Sequence, residues 1–139
     1  MTDGGRGRRA FAVALPLLYM VAIFVQSSSA LPEVPGAPPQ LDELAHLVEY
    51  AVLGALVARA IAVDPRLGPP GPRAIWAVAT LIAVLYGLSD ELHQSFVPAR
   101  CASWTDALAD AAGAAAGALV AVTRLARPAA GSRGGRGPA

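Results

Sequence analysis

The stretch Tyr86-Gly-Leu-Ser-Asp-Glu-Leu-His-Gln-Ser-Phe-Val-Pro-Ala-Arg100 decides how this chain is read. It begins at the end of an apolar run, Ile75 to Tyr86, and then places Asp90, Glu91, His93, Gln94 and Arg100 within a short distance. Ionisable groups at the end of a membrane-grade helix are costly to hold there, so they mark a functional-site candidate whose partners lie elsewhere in the chain. Two other segments supply matching groups: Asp42, Glu43, His46 and Glu49 in one, Asp106 and Asp110 in the other.

The bulk composition agrees with a lipid environment. Of 139 residues, 55% are hydrophobic and only 15% charged, where an average soluble domain carries about 25%. The mean hydropathy is +0.48. The length fits one domain. Cys101 is the single cysteine, so no internal disulfide can form. There is no phosphate loop, dinucleotide fingerprint or nucleophile motif. The basic ends are too sparse for nucleic-acid binding and suit anionic lipid instead.

Four apolar stretches, about 10–25, 44–63, 74–95 and 107–125, each approach the roughly 20 residues that cross a bilayer. The second and fourth are alanine-rich and carry charges, so they depend on packing against the others. Proline-rich breakers at 31–39, 64–72 and 97–98 separate them. The expected fold is therefore all-α, an integral membrane bundle of four transmembrane helices. Residues 1–9 form a basic N-terminus, 10–125 the membrane domain, and 126–139 a disordered Arg/Gly/Pro tail.

Arginine placement sets the expected orientation. Arg6, Arg8 and Arg9 precede the first span; Arg59, Arg66 and Arg73 surround the loop between the second and third; Arg124, Arg127, Arg133 and Arg136 follow the fourth. All but Arg100 of the 11 basic residues thus fall on one side, read as cytoplasmic together with both termini. The acids do the reverse, leaving only Asp3 and Asp64 on that side. Every candidate catalytic group then belongs to the outward half. A competing reading takes the first span as a signal peptide cut after Ser28-Ser-Ala30. That cleavage would leave the other spans oriented as before.

Helical spacing groups the polar residues. Asp42, His46 and Glu49 share a face, with Tyr50 beside it and Gly54 continuing the stripe. Tyr86, Asp90 and His93 form a second stripe, adjoined by Gln94. Asp106, Asp110, Gly113 and Gly117 form a third. Glu49 and Asp90 come to similar depths, roughly 10–12 Å inside their spans at 1.5 Å per residue. Unpaired carboxylates there are expensive, so the stripes are expected to face one another or a water-filled cleft. Gly54, Gly87, Gly113 and Gly117 suit close helix packing. Simpler roles compete at several positions. Asp42, Glu43 and Asp106 fit helix capping or first-turn acids, and His46 and His93 fit buried histidines with a local partner. Capping cannot account for Glu49, Asp90 or Asp110, a turn or more inside a span.

Taken together, these motifs resemble the VanZ-like membrane protein family from Gln26 to Gly117. The resemblance rests on Gln26-Ser-Ser28, on Asp42-Glu-Leu-Ala-His46 with Glu49-Tyr50 and Leu53-Gly54, and on the 86–100 stretch. Ser103, Asp106, Asp110, Gly113 and Gly117 complete it. It implies a small four-helix integral membrane protein, and a link to glycopeptide (teicoplanin) resistance, for which the family is named. This chain departs from the family pattern in having Glu43 where lysine is frequent, Ala99 where glycine is common, and Asp110 where asparagine is common. The first and last changes make the outer site more acidic.

Three functions compete. In the first, an outward site in the bacterial plasma membrane binds or alters an envelope lipid or cell-wall precursor. Asp90, Glu91, His93, Asp42 and His46 then form an acid-base cluster, and Arg100 grips an anionic group such as phosphate. Glu49, Tyr50, Gln94, Asp106 and Asp110 line the substrate side. In the second, the same residues are buried pairs that hold a non-enzymatic scaffold together, with Arg100 neutralising Asp106 or Glu91 and His46 pairing with Asp90. In the third, they belong to a proton- or ion-coupled transporter, although no acidic path continues into the inner half. The carboxylates and histidines could also ligate a divalent metal, but no compact His-x-x-x-His motif is present and no residue is assigned as a ligand.

Overall fold

Four helices follow one another: α1 (Asp3–Ser27), α2 (Gln40–Val63), α3 (Pro72–Gln94) and α4 (Trp104–Leu125). This computed structural model describes residues 3–29, 40–64, 70–98 and 100–126. The tail from 127 onward, expected to be disordered, and the proline-rich stretches 30–39 and 65–69 lie outside the described residues. All four helices are long and apolar enough to cross a membrane.

Local chemistry sets their ends. Gly71 is extended and Pro72 opens α3, a position where proline's missing N–H costs nothing. Ser103 is extended ahead of α4, and its Oγ accepts the Asp106 backbone N–H at 3.4 Å. Asp42 and Glu43 lie in the first turn of α2, and Asp106 in that of α4, where the helix dipole favours negative charge. Helices α2 and α4 therefore start at Gln40 and Trp104, earlier than their apolar runs. The polar residues that hydropathy reads as loop are their first turns. Helix α1 likewise extends back to Asp3, beyond its apolar run.

The bundle is apolar outside, and inside it sets small and polar residues around a few large ones, Ile23, Tyr50 and Leu53. Leu18, Leu44, Leu85, Leu92 and Leu108 are exposed, while Asp90, Glu91, Asp110, Ala83, Ala114 and Ala118 are buried. Water would not select this arrangement; lipid, as apolar as leucine, leaves close backbone approach and polar contacts to hold helices together. The tightest pair is α2 with α4. A Cβ at Gly113 would overlap the Leu47 carbonyl oxygen, one at Gly117 that of Ala51, and one at Gly54 that of Ala114. Helix α3 lies on this pair through Ile75, Ala79 and Ala83, and Trp76 Nε1 donates to the Ala115 carbonyl at 3.0 Å. Helix α1 packs chiefly on α2, buries Ile23, and accepts the Tyr86 hydroxyl on its Met20 carbonyl at 2.6 Å.

The C-terminal ends of α1 and α3 meet the N-terminal ends of α2 and α4, as the contacts Ser27 to Asp90, His46 to Asp110 and Ser103 to Glu91 together require. Arg9, Arg59, Arg73 and Arg124 lie toward the opposite ends of their helices. Among the described residues, Arg100 is the one arginine at the acidic end.

Candidate functional site

The close α2–α4 contact delivers His46 to Asp110. Its Nδ1 lies 3.0 Å from Asp110 Oδ1 and 4.0 Å from Glu91 Oε1 on α3. These residues are 6%, 1% and 6% exposed, respectively. The other Glu91 oxygen accepts the Ser103 backbone N–H at 2.8 Å, tying the end of α3 to the start of α4. Asp42 and Asp106 flank the imidazole from the first turns of α2 and α4, each with a carboxylate oxygen within 4.8 Å of a His46 ring nitrogen. One turn deeper, Tyr50 is fully buried and its hydroxyl has no hydrogen-bond partner. Gly87 leaves room there: a Cβ would stand 3.0 Å from Asp110 Oδ2 and 3.1 Å from the Tyr50 ring.

A second cluster lies between α3 and α1. Asp90 Oδ2 accepts from Ser27 Oγ at 2.8 Å and from Gln94 Nε2 at 3.1 Å. His93 Nε2 is 2.9 Å from Ser28 Oγ, and its ring lies against Phe24 with centroids 4.6 Å apart. The partner expected for His46 is thus corrected: Asp110 takes that place, and Asp90 turns to Ser27. Consecutive helical residues diverge by about 100°, so Asp90 and Glu91 bond different neighbours, although Asp90 still lies within electrostatic reach of Tyr50 and Asp110. Asp90 and His93 face α1, while Glu91 faces the α2–α4 pair.

The profile of the VanZ/LLP1 family matches residues 7–126, a span that takes in both clusters. The chain belongs to the VanZ/LLP1 family. No curated protein and no solved structure matches it significantly.

In this VanZ/LLP1 protein Arg100 follows α3, half-buried, with its backbone N–H on the Val97 carbonyl at 3.1 Å. Its Nε is buried and has no hydrogen-bond partner among the described residues. The pairing with Asp106 or Glu91 expected for a scaffold is not formed among the described residues. Glu49, half-buried on α2, lies within electrostatic reach of Arg100, and Asp42 is exposed at the rim.

Three residues of the site, Ser27, Ser28 and Ser103, carry part of the family resemblance in the sequence but no assigned role there. Their signal was present, since a polar triplet Gln26-Ser-Ser28 closes an otherwise apolar span. Serine hydroxyls carry no charge, however, and only their partners make them informative. Chemically, the His46–Asp110 pair can hold and pass a proton, Asp90 is held by two neutral donors, and Arg100 offers an uncommitted cationic donor.

Proposed function

We propose that this VanZ/LLP1 protein sits in the bacterial plasma membrane with its acidic end outward, and that this end binds the anionic headgroup of an envelope lipid or cell-wall precursor. The observation that carries the reading is Arg100. Its buried guanidinium nitrogen has no hydrogen-bond partner among the described residues, and it stands at the acidic end of the bundle within electrostatic reach of Glu49. Guanidinium matches phosphate in shape and charge. His46, Asp42, Glu91, Asp90 and His93 supply acid-base groups for proton transfer or hydrolysis on the bound molecule. Half-buried Glu49 lies on its approach, and Tyr50, Gln94, Asp106 and Asp110 stand buried behind it. The arginines at the opposite helix ends support the orientation. Capture of a wall precursor would connect the chain to glycopeptide (teicoplanin) resistance.

Purification from membranes in native polymer discs, followed by lipid mass spectrometry, tests this. A phosphate-bearing lipid should be enriched with the wild type and fall about tenfold with Arg100→Gln, the worth of one charge-assisted contact. Identical lipid profiles for both proteins would defeat the proposal.

A second reading, a non-enzymatic scaffold, draws support from the contacts that link helices: Ser27 to Asp90, His46 to Asp110, and Ser103 to Glu91. Asp90→Asn and His93→Gln separate the two. Loss of folded protein favours the scaffold; intact protein with a lost envelope phenotype favours the site.

A further inference from the structure

We infer that His46, Glu91 and Asp110 form a binding site for one divalent cation of the zinc class. The inference uses the same cluster as the proposed lipid site but does not require a lipid, because metal content is read with none present.

The three side chains offer one imidazole nitrogen and two carboxylate oxygens, all within 4.8 Å of one another. Acidic clusters alone are common. This one differs because Glu91 Oε1 is buried, accepts no hydrogen bond among the described residues, and is aimed at His46 Nδ1 from 4.0 Å. A carboxylate oxygen shielded from water and left without a donor is costly, and a cation is one of the few partners that relieves it. Two carboxylates and a neutral imidazole match the charge of one divalent ion.

The spacing suits a small ion. Tetrahedral bonds of 2.0–2.1 Å to nitrogen and oxygen give ligand-to-ligand edges of about 3.3 Å. The edges from Nδ1 are 3.0 Å to Asp110 Oδ1 and 4.0 Å to Glu91 Oε1, which bracket that value. Rotating Glu91 closes the longer edge, and its Oε1 has no hydrogen bond to give up. Three protein ligands leave a fourth position for water or a substrate oxygen, as in catalytic rather than structural zinc sites.

The surroundings complete the arrangement. Asp42 and Asp106 each have a carboxylate oxygen within 4.8 Å of a His46 ring nitrogen, close enough for one of them to accept from Nε2 once Nδ1 holds the ion. A carboxylate on the far nitrogen fixes the tautomer and raises the basicity of a metal-bound imidazole. The Ser103 N–H bond on Glu91 Oε2 likewise steadies one carboxylate oxygen while leaving the other for the ion.

The test is equilibrium loading of the full-length protein in detergent, with any affinity tag removed, using Zn²⁺ and separately Mn²⁺. Elemental analysis follows gel filtration. One ion per chain is expected for the wild type. Glu91→Gln and Asp110→Asn should bind at least about tenfold more weakly, and Asp106→Asn about tenfold more weakly through the imidazole. Binding should release a proton, since ion and proton compete for the space between His46 and Asp110. Wild-type protein that retains no more of either ion than Glu91→Gln overturns the inference. Should the variants fail to fold, Co²⁺ titration of the wild type decides alone. The intense visible bands of a four-coordinate ion support the site, and a spectrum like that of the hydrated ion ends it. If the site loads while lipid profiles stay unchanged, the metal inference stands and the lipid reading falls.

Discussion

Asp110 Oδ1 meets His46 Nδ1 at 3.0 Å across the α2–α4 contact, and Gly113, three residues beyond Asp110, lies against the carbonyl of Leu47, the neighbour of His46. The polar pair and the glycine contact are therefore one feature: the histidine can reach the carboxylate only because the backbones touch beside it. Small residues that look like packing and charged residues that look like chemistry depend on each other here.

Removing either partner of this pair should have unequal effects. His46→Ala strands Asp110, 1% exposed, and breaking a buried pair from one side costs about 3–5 kcal/mol. Asp110→Asn keeps an oxygen for the imidazole to use and removes only the charge. Thermal unfolding in detergent should show a large drop for His46→Ala and a change of a few degrees for Asp110→Asn. Equal large losses would mean that the charge of Asp110, and not its oxygen alone, holds the pair, and equal small ones that the pair has no special part in the bundle.

The glycines should rank by what a methyl group would strike. At Gly117 and Gly113 it meets backbone oxygen of α2, which can yield only if the helices separate. At Gly87 it meets Asp110 Oδ2, the Tyr50 ring and Asp110 Cβ at 3.0–3.2 Å, side-chain atoms that need give by only a few tenths of an ångström. Alanine at 117 or 113 should cost at least about 1–3 kcal/mol, the usual range for overpacking, and alanine at 87 less. Melting midpoints of the three single variants check the order, and Gly87→Ala as the worst of them would contradict it.

The four helices were legible in the sequence because apolar length is a strong signal, and Asp90, Glu91, His46 and Asp110 stood out because charge inside a span is costly. Their pairing was not legible. A stripe drawn through Asp90 and His93 identifies one helical face but not which neighbour that face meets, and here it meets Ser27, Ser28 and Phe24 of α1. The helix starts were hidden for a related reason. Asp42, Glu43 and Asp106 lower the local hydropathy where they stabilise the first turn.

The link between α1 and α3 can be measured directly. Ser27→Ala removes the 2.8 Å donor to Asp90 Oδ2 and leaves the Gln94 donor at 3.1 Å. A hydrogen bond to a charged acceptor contributes about 1.5–3 kcal/mol. A double-mutant cycle of Ser27→Ala with Asp90→Asn should return a coupling energy above about 0.5 kcal/mol. Additive effects would place the two residues in separate environments. Because Gln94 belongs to the same helix as Asp90, Gln94→Ala should disturb α1 less than Ser27→Ala does.

Sidedness has a natural probe. Cys101 is the single cysteine, it is exposed, and it adjoins Arg100 at the acidic end of the bundle. With that end outward, a membrane-impermeant maleimide added to intact cells should label Cys101 in the wild-type chain, with no engineered site. Cys101→Ser should abolish the signal. Labelling only after the cells are broken would reverse the orientation and turn the acidic end toward the cytoplasm. The arginines at the far helix ends would then stand against the usual charge bias of membrane proteins, and an envelope ligand could no longer reach Arg100. Blocking Cys101 also gives a functional readout, because a bulky maleimide beside Arg100 should reduce phospholipid recovery in native discs to the level of Arg100→Gln. Unchanged recovery would detach the mouth of the cluster from lipid binding even if the orientation holds.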